Sequence, residues 1–318
     1  MRYRQTSTPP SFFLLALILI LAGITAPAQQ SQEQQKNPPD DDGVLALETN
    51  LVVLNVTVTD ARERYVAGLR EKDFRVFEDK APQKIVSFSF EETPFAAVIL
   101  LDTSASMSSR MSLARAACSH FTSGIREGDN VAIYSFGGTK VKMLQDFSEV
   151  KDVDPVIWET NADGMTPMYD GIAKAVEALA KRPERRRAIL IVSDGVDTTS
   201  KHTLESAIRQ ALAAGITIYA VDMSESALHR TPARDNGPEV MKTLATKTGG
   251  RFYPTPGGSK LRDAFAETVD ELRNQYTIAY EPANERRDGK WRAIEVHARQ
   301  GALNVRTRQG YYAAKSKK

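Results

Sequence analysis

Ala96-Ala97-Val98-Ile99-Leu100-Leu101-Asp102-Thr103-Ser104-Ala105-Ser106 decides how this chain is read. Six apolar residues without a polar interruption suit a strand covered on both faces, as in the middle of a parallel sheet. The run ends at a carboxylate followed by alternating hydroxyls. Working outward, Ala188-Ile189-Leu190-Ile191-Val192 and Ile216-Thr217-Ile218-Tyr219-Ala220-Val221 are runs of the same kind. Residues 131–136 and 140–144 add two more strands, the second more polar and so more edge-like. Amphipathic stretches at 112–125, 168–180, 204–214 and 239–248 lie between them. This alternation of strand and helix predicts an α/β fold with a doubly wound, mainly parallel sheet.

On either side the apolar period changes to two. Val52, Leu54, Val56 and Val58 share one strand face, Val86, Phe88 and Phe90 share another, and residues 73–78 form a further strand candidate. Beyond the α/β region, Tyr276, Ile278 and Tyr280 alternate, then Ile294, Val296 and Ala298, with Asp288-Gly289 between them as a hairpin signal. Neither β-rich piece can bury a core alone. The expected organisation is therefore a β-rich segment at 44–92, an α/β domain at 94–273, and a C-terminal β segment at 274–313. The last is expected to pack with 44–92 into a small β-sandwich in which the α/β domain is inserted.

The first residues are a separate matter. Arg2 and Arg4, an unbroken apolar run at 12–22 and Ala26-Pro27-Ala28 together read as a signal peptide cleaved after Ala28. An uncleaved anchor is the alternative, but the run falls short of the ~20 apolar residues that a spanning helix needs. No cysteine follows that run, which excludes a lipoprotein anchor. Residues 29–43, rich in Gln, Pro and Asp, read as a disordered linker. The protein is thus expected to be exported, to the periplasm, the cell surface or the medium. Removing Arg2 and Arg4 from the 42 basic residues leaves 40 against 40 acidic ones. A neutral mature chain offers no general attraction for nucleic acid or an anionic membrane. Arg185-Arg186-Arg187 is expected to cap a helix C-terminus or cover a sheet edge, and the Lys315-to-Lys318 tail to be solvated. Cys118, the single cysteine, is expected in a helix core, and His120, His202, His229 and His297 lack zinc-ligand spacing.

Three loops carry the candidate chemistry: Asp102 with Ser104 and Ser106, Thr166 within Gly164-Met165-Thr166-Pro167, and Ser193-Asp194-Gly195. Hydroxyls and carboxylates form an all-oxygen set suited to a hard divalent cation such as Mg²⁺, Mn²⁺ or Ca²⁺. In a doubly wound sheet, ligands sit beyond the carboxyl ends of the strands where strand order reverses. Each piece also has a plain structural reading. Ser106 or Ser108 could cap a helix starting near Met111, Thr166-Pro167 could be an N-cap and first helical position, and Asp194-Gly195 could be a turn. Asp222 reads as a cap one strand farther out. Asp170 reads as a support of the site or a residue placed by the helix dipole. The polar loop at 223–238 is a specificity candidate.

Asp102-x-Ser104-x-Ser106, Thr166 before a helix and Ser193-Asp194-Gly195 resemble the metal-ion-dependent adhesion site of von Willebrand factor type A domains, over about residues 94–273. The resemblance implies a Rossmann-like domain. It also implies Ser104, Ser106 and Thr166 as direct ligands, Asp102 and Asp194 acting largely through water, and a partner protein's Asp or Glu carboxylate on the remaining position. The flanks are similar to exported bacterial proteins of the same group. They match through Val58-Thr59-Asp60, Gly68-Leu69, Asp73-Phe74, Glu78-Asp79, Pro82-Gln83 and Arg308-Gln309-Gly310-Tyr311-Tyr312, with Lys80 in place of the usual Gly. The expected function is a metal-dependent protein-binding or adhesion module rather than an enzyme. The alternatives are a structural role in envelope assembly and a metal-assisted hydrolase. The chain has no Gly-x-Ser-x-Gly elbow and no histidine near the motif, which counts against hydrolysis.

Overall fold

In the computed structural model, residues 51–149, 153, 164–224, 236–254, 259–299 and 301–315 are described. The expected signal peptide, the linker and most of the 223–238 loop lie outside them. The chain divides into Met1–Leu47, wholly outside the described residues, and Glu48–Lys318, to which everything below refers.

The elements follow in chain order. First come β1 (Val52–Thr59), β2 (Phe74–Glu78), β3 (Ala81–Gln83), β4 (Ile85–Ser89) and β5 (Phe95–Asp102). A 3₁₀ turn (Ala105–Arg110) leads into α1 (Met111–Ser123), then β6 (Asn130–Gly137), β7 (Lys140–Ser148), α2 (Met168–Ala180) and β8 (Arg186–Ser193). After these come α3 (Leu204–Ala213), β9 (Ile216–Asp222), α4 (Gly237–Thr248), β10 (Phe252–Tyr253) and α5 (Ser259–Arg273). The chain closes with β11 (Tyr276–Tyr280), β12 (Trp291–Ala298), β13 (Asn304–Arg306) and β14 (Gly310–Tyr312).

The central sheet has the order β10-β9-β8-β5-β6-β7, parallel except for β7, which runs antiparallel on the edge. All of β5 is buried because its two faces feed two cores. Phe95, Ala97, Ile99 and Leu101 pack with α1 and α5, through residues such as Phe121 and Phe265. Ala96, Val98 and Leu100 pack with α2, α3 and α4. That two-sided cover is why the strand shows no polar alternation. Cys118 lies fully buried in α1, where burial pushes its thiol up to about 12. The apolar spacing considered above does not single out α5, although this helix covers half of one sheet face.

The flanking strands form two four-stranded sheets, β13-β1-β11-β4 and β14-β12-β2-β3. Both turn one face into a shared core of Leu54, Val56, Val58, Phe74, Val76, Tyr276, Ile278, Tyr280, Ile294 and Val296. The result is a β-sandwich built from the two ends of the described chain.

Two expectations fail here. Asp288-Gly289 does not close a hairpin, because β11 pairs with β1 and β4 whereas β12 pairs with β2 and β14. The two strands face each other across the core instead of lying side by side, so the intervening residues cross between sheets. Val86 does not share a face with Phe88 and Phe90. The register of β4 against β11 shifts between Ala279 and Tyr280, and this bulge turns Val86 outward while Ile85, Phe88 and Phe90 face the core.

Sandwich and α/β domain are joined around one side chain. Arg186, fully buried at the start of β8, donates to the carbonyls of Leu272 (3.0 Å) and Arg273 (2.8 Å) at the end of α5. It also donates to Glu91 O and Gln275 O, both at 2.7 Å, where the chain enters and leaves the α/β domain. Arg187 donates to Ala214 O at the end of α3 (2.8 Å). The helix-capping expectation thus holds for these two arginines, and unpaired helix-end carbonyls explain why cations stand there. Beside them, Glu271 of α5 is fully buried and accepts from Thr57 (3.2 Å) and Tyr219 (2.8 Å), and it pairs with Arg306.

Arg186→Leu deprives four carbonyls, three of them in buried hydrogen bonds, of their shared donor. It is expected to lower unfolding stability by about 3 kcal/mol or more, read as a lower urea midpoint. Arg186→Lys is expected to recover only part of this, since an ammonium lacks the guanidinium fork. A midpoint unmoved by Arg186→Leu would contradict the clamp.

Candidate metal centre

Asp102 is the last residue of β5, and Ser193 is the last of the neighbouring β8. From β5 the chain passes through α1 to β6 on one side, while β8 lies on the other. Strand order therefore reverses between β5 and β8, and the crevice of a doubly wound fold opens there. The buried carboxylate of Asp102 spans it: Oδ1 accepts from Ser104 N (2.8 Å) and Oδ2 from the Ser193 hydroxyl (2.5 Å). Ser193 Oγ in turn accepts from Gly195 N (2.9 Å), which orients the loop carrying Asp194.

The loop after β5 is held down by Thr103, whose amide donates to Phe136 O of β6 (2.8 Å). This close crossing requires Gly137, since a Cβ there would stand 2.6 Å from Thr103 O. Ser104 and Ser106 then bring their hydroxyls to 3.0 Å of each other. Neither Ser106 nor Ser108 caps α1: the N-cap residue is Arg110, and no side chain caps it. The two hydroxyls therefore converge on each other.

Thr166 is not an N-cap either. Pro167 holds that position before α2 and offers no side-chain cap. Thr166 is buried, and its backbone is bound to Thr198 in the loop beyond Asp194: Thr166 N donates to Thr198 Oγ1 (2.8 Å) and Thr198 N to Thr166 O (2.9 Å). Asp194 is buried as well, and its Oδ1 accepts a long bond from Val196 N (3.4 Å). Gly195 follows with φ +82°, and a Cβ there would stand 2.4 Å from Gly237 O at the start of α4. The third loop is thus wedged between α4 and the Thr166 loop.

Asp102, Ser104, Ser106 and Ser193 are joined directly by hydrogen bonds. Asp194 adjoins them in sequence, and Thr166 is tied to Asp194's loop. Ser193 is the connecting residue, which the sequence motif includes but to which sequence reasoning assigned no role. Its signal was its place at the end of an apolar run, level with Asp102. Asp222 accepts from Ser224 N (2.8 Å), repeating the Asp102–Ser104 turn at the end of β9, two strands from β5.

Electrostatically, burial works against a charge on Asp102. Burial pushes the Asp102 carboxyl up to about 6 against the bonds from Ser104 and Ser193, and Asp194 adds to the rise. A cation beside these carboxylates would remove that penalty. Among the described residues no three of His, Cys, Asp and Glu come together, so any ligand set here must draw on hydroxyls. Oxygen donors of this kind fit Mg²⁺, Mn²⁺ or Ca²⁺ and not a soft or borderline ion.

A doubly wound sheet with a polar crevice at its switch point is a common ligand-binding architecture. The particular family follows from comparison. Residues 97–196 match the von Willebrand factor type A domain family, and the chain carries a domain of this kind. A similar solved structure is a von Willebrand factor type A protein from Catenulispora acidiphila, with a TM-score of 0.50 at 13% identity, covering 70% of this chain and 67% of that one. The vWF domain of the type V pili tip protein Mfa5 from Porphyromonas gingivalis matches with a TM-score of 0.48 at 15% identity, over 57% of this chain and 95% of that one. The PilB minor pilin from Streptococcus sanguinis matches with a TM-score of 0.45 at 15% identity, over 58% and 62%. No curated protein matches the chain.

The raised Asp102 carboxyl sets a stability slope. In the folded metal-free chain it holds its proton up to about pH 6, and unfolded only to its ordinary 3.8. The folded state therefore binds the extra proton in this window, and stability falls as pH rises from about 4 to 6. Asp102→Asn removes that contribution. In chelator, its melting temperature relative to the parent is expected to rise between pH 4.5 and 7, by the equivalent of about 2–3 kcal/mol at most. A constant difference across that range would show that Asp102 is not strained by burial.

Proposed function

We propose that this protein is an exported binding module. It captures a protein partner through a divalent cation held by Asp102, Ser104, Ser106, Thr166 and Asp194. The observation that carries this reading is the bond network across the β5–β8 crevice, which places a buried carboxylate beside two hydroxyls that face each other. When bound, the cation would offer an electron-poor position to an outside carboxylate. Ser104, Ser106 and Thr166 would supply neutral oxygens, so the ion keeps most of its charge. Asp102 and Asp194 would act largely through water, with Asp102 already engaged by Ser104 N and Ser193.

Von Willebrand factor type A domains commonly mediate protein–protein interaction, in keeping with capture rather than turnover. Proton-transfer chemistry would need a base free to move. Among the described residues, the histidine near this rim is His202, and its ring nitrogen is engaged by Asp170 at 2.7 Å. Export rests on the basic start, the apolar run at 12–22 and the Ala26-Pro27-Ala28 site. No described helix is long and apolar enough to cross a membrane.

Calorimetric titration of Mg²⁺ and Mn²⁺ into residues 29–318 is expected to show one ion per chain, and none with Asp102→Ala. A pull-down from envelope extract should then recover a partner that chelator releases and Asp102→Ala does not retain. Equal ion binding by parent and Asp102→Ala would overturn the site. Ion binding with a partner indifferent to chelator would overturn metal-bridged capture.

A further inference from the structure

Helix α2 begins with a defect. Its N-cap, Pro167, has no side-chain oxygen, so the first amides of the helix have no local partner. They find partners in another loop. Tyr169 N donates to Asp197 Oδ2 (3.1 Å), and Asp170 N donates to Ser200 Oγ (3.0 Å). Asp197 fixes Ser200 in turn, accepting from its hydroxyl (2.6 Å) and its amide (3.2 Å). The tie is returned from the helix side. Asp170 accepts from Lys201 N (3.0 Å), His202 N (3.0 Å) and the His202 ring. Burial opposes it, yet these bonds hold the Asp170 carboxyl below its ordinary range. Two residues before the helix, Thr166 donates its amide to Thr198 Oγ1 and accepts at its carbonyl from Thr198 N.

We infer that Asp197, Thr198, Ser200 and Asp170 are positioning residues: Asp197 and Ser200 cap α2 from another loop, Asp170 returns the tie, Thr198 holds the Thr166 backbone, and together they set Thr166 relative to the Asp194 loop before any ion arrives. This rests on the metal reading of the site given above. Thr166 and Asp194 sit on loops that share no strand pairing, since α2 follows one and β8 ends just before the other. Without the clamp, the distance between these two oxygen donors would be set only by helix packing. With it, the Thr166 backbone is locked to a residue four places beyond Asp194. Groups behind metal ligands typically alter affinity by ten- to a hundredfold when removed.

The test uses near-isosteric pairs in the full chain. Thr198→Val keeps the shape and loses the acceptor for Thr166 N, and Thr198→Ser restores it. Ser200→Ala and Ser200→Thr form a second pair should the first fail to fold. Two readouts are needed, Mn²⁺ affinity by calorimetry and amide hydrogen exchange of the 164–172 peptide in metal-free protein. Thr198→Val is expected to weaken Mn²⁺ about tenfold and to speed exchange in 164–172 while the α1 peptide stays unchanged. Thr198→Ser is expected to return both to parent values. Parent-like Mn²⁺ affinity in Thr198→Val, with the parent binding normally, overturns the positioning role and leaves the metal reading intact. Parent-like exchange in Thr198→Val overturns the clamp itself. Failure of parent and Thr198→Ser alike to bind Mn²⁺ overturns the metal reading and this inference together.

Discussion

The guanidinium of Arg186 meets four carbonyls at the point where the chain passes between sandwich and α/β domain. A charged group fully out of water is costly unless nearly all its donors are used. Here they terminate α5 and fix both crossings of the chain, at Glu91 and Gln275. The sandwich core is assembled from segments more than two hundred residues apart in sequence, such as β1 and β11. Their pairing holds only if the two crossings are kept together. The buried group of Thr57, Glu271, Tyr219 and Arg306 extends the same junction across β1, α5, β9 and β13.

The same strand that starts at Arg186 ends at Ser193, whose hydroxyl holds Asp102. β8 is therefore anchored at both ends, to the sandwich at one and to the candidate centre at the other. Between them every residue but the half-buried Arg187 is buried, so the strand has little freedom to slide. The crevice thus inherits the rigidity of the sheet's middle, while the residues proposed to hold a cation stay on loops. Gly137 and Gly195 allow loop backbone to approach its neighbours closely, and the Asp197–Ser200 segment ties the Thr166 loop to the loop after β8. An assembly of this kind can hold hydroxyl oxygens at fixed separation without a metal ion to organise them.

Much of the α/β fold was readable because burial on both faces leaves an unmistakable pattern. β5, β8 and β9 appear as continuous apolar runs, and α2 appears with its observed limits, since its apolar stripe is wide and regular. The helix α5 escaped because its stripe is interrupted by the polar residues it uses at the junction, Glu271 and Arg273. Val86 was misplaced because a bulge shifts the alternation of a strand by one, and nothing local announces the shift. The supposed hairpin at Asp288-Gly289 failed for a related reason. Two strands burying alternate residues look the same whether they lie side by side or face each other across a core.

By itself, the sequence determined which segments are strands covered on both faces, which are amphipathic, and that Asp102, Ser104, Ser106, Thr166 and Asp194 stand at the boundaries of such segments. These are properties of period and neighbouring residue type, and they act over a few residues. Tertiary structure alone decided that Ser193 grips Asp102, that Arg186 is buried, that Asp197 and Ser200 complete α2, and that Thr198 holds Thr166. Each of those facts depends on strand order and on close approach between distant loops. Hydrogen bonds at under about 3 Å are specified by three-dimensional position, which local sequence pattern does not encode.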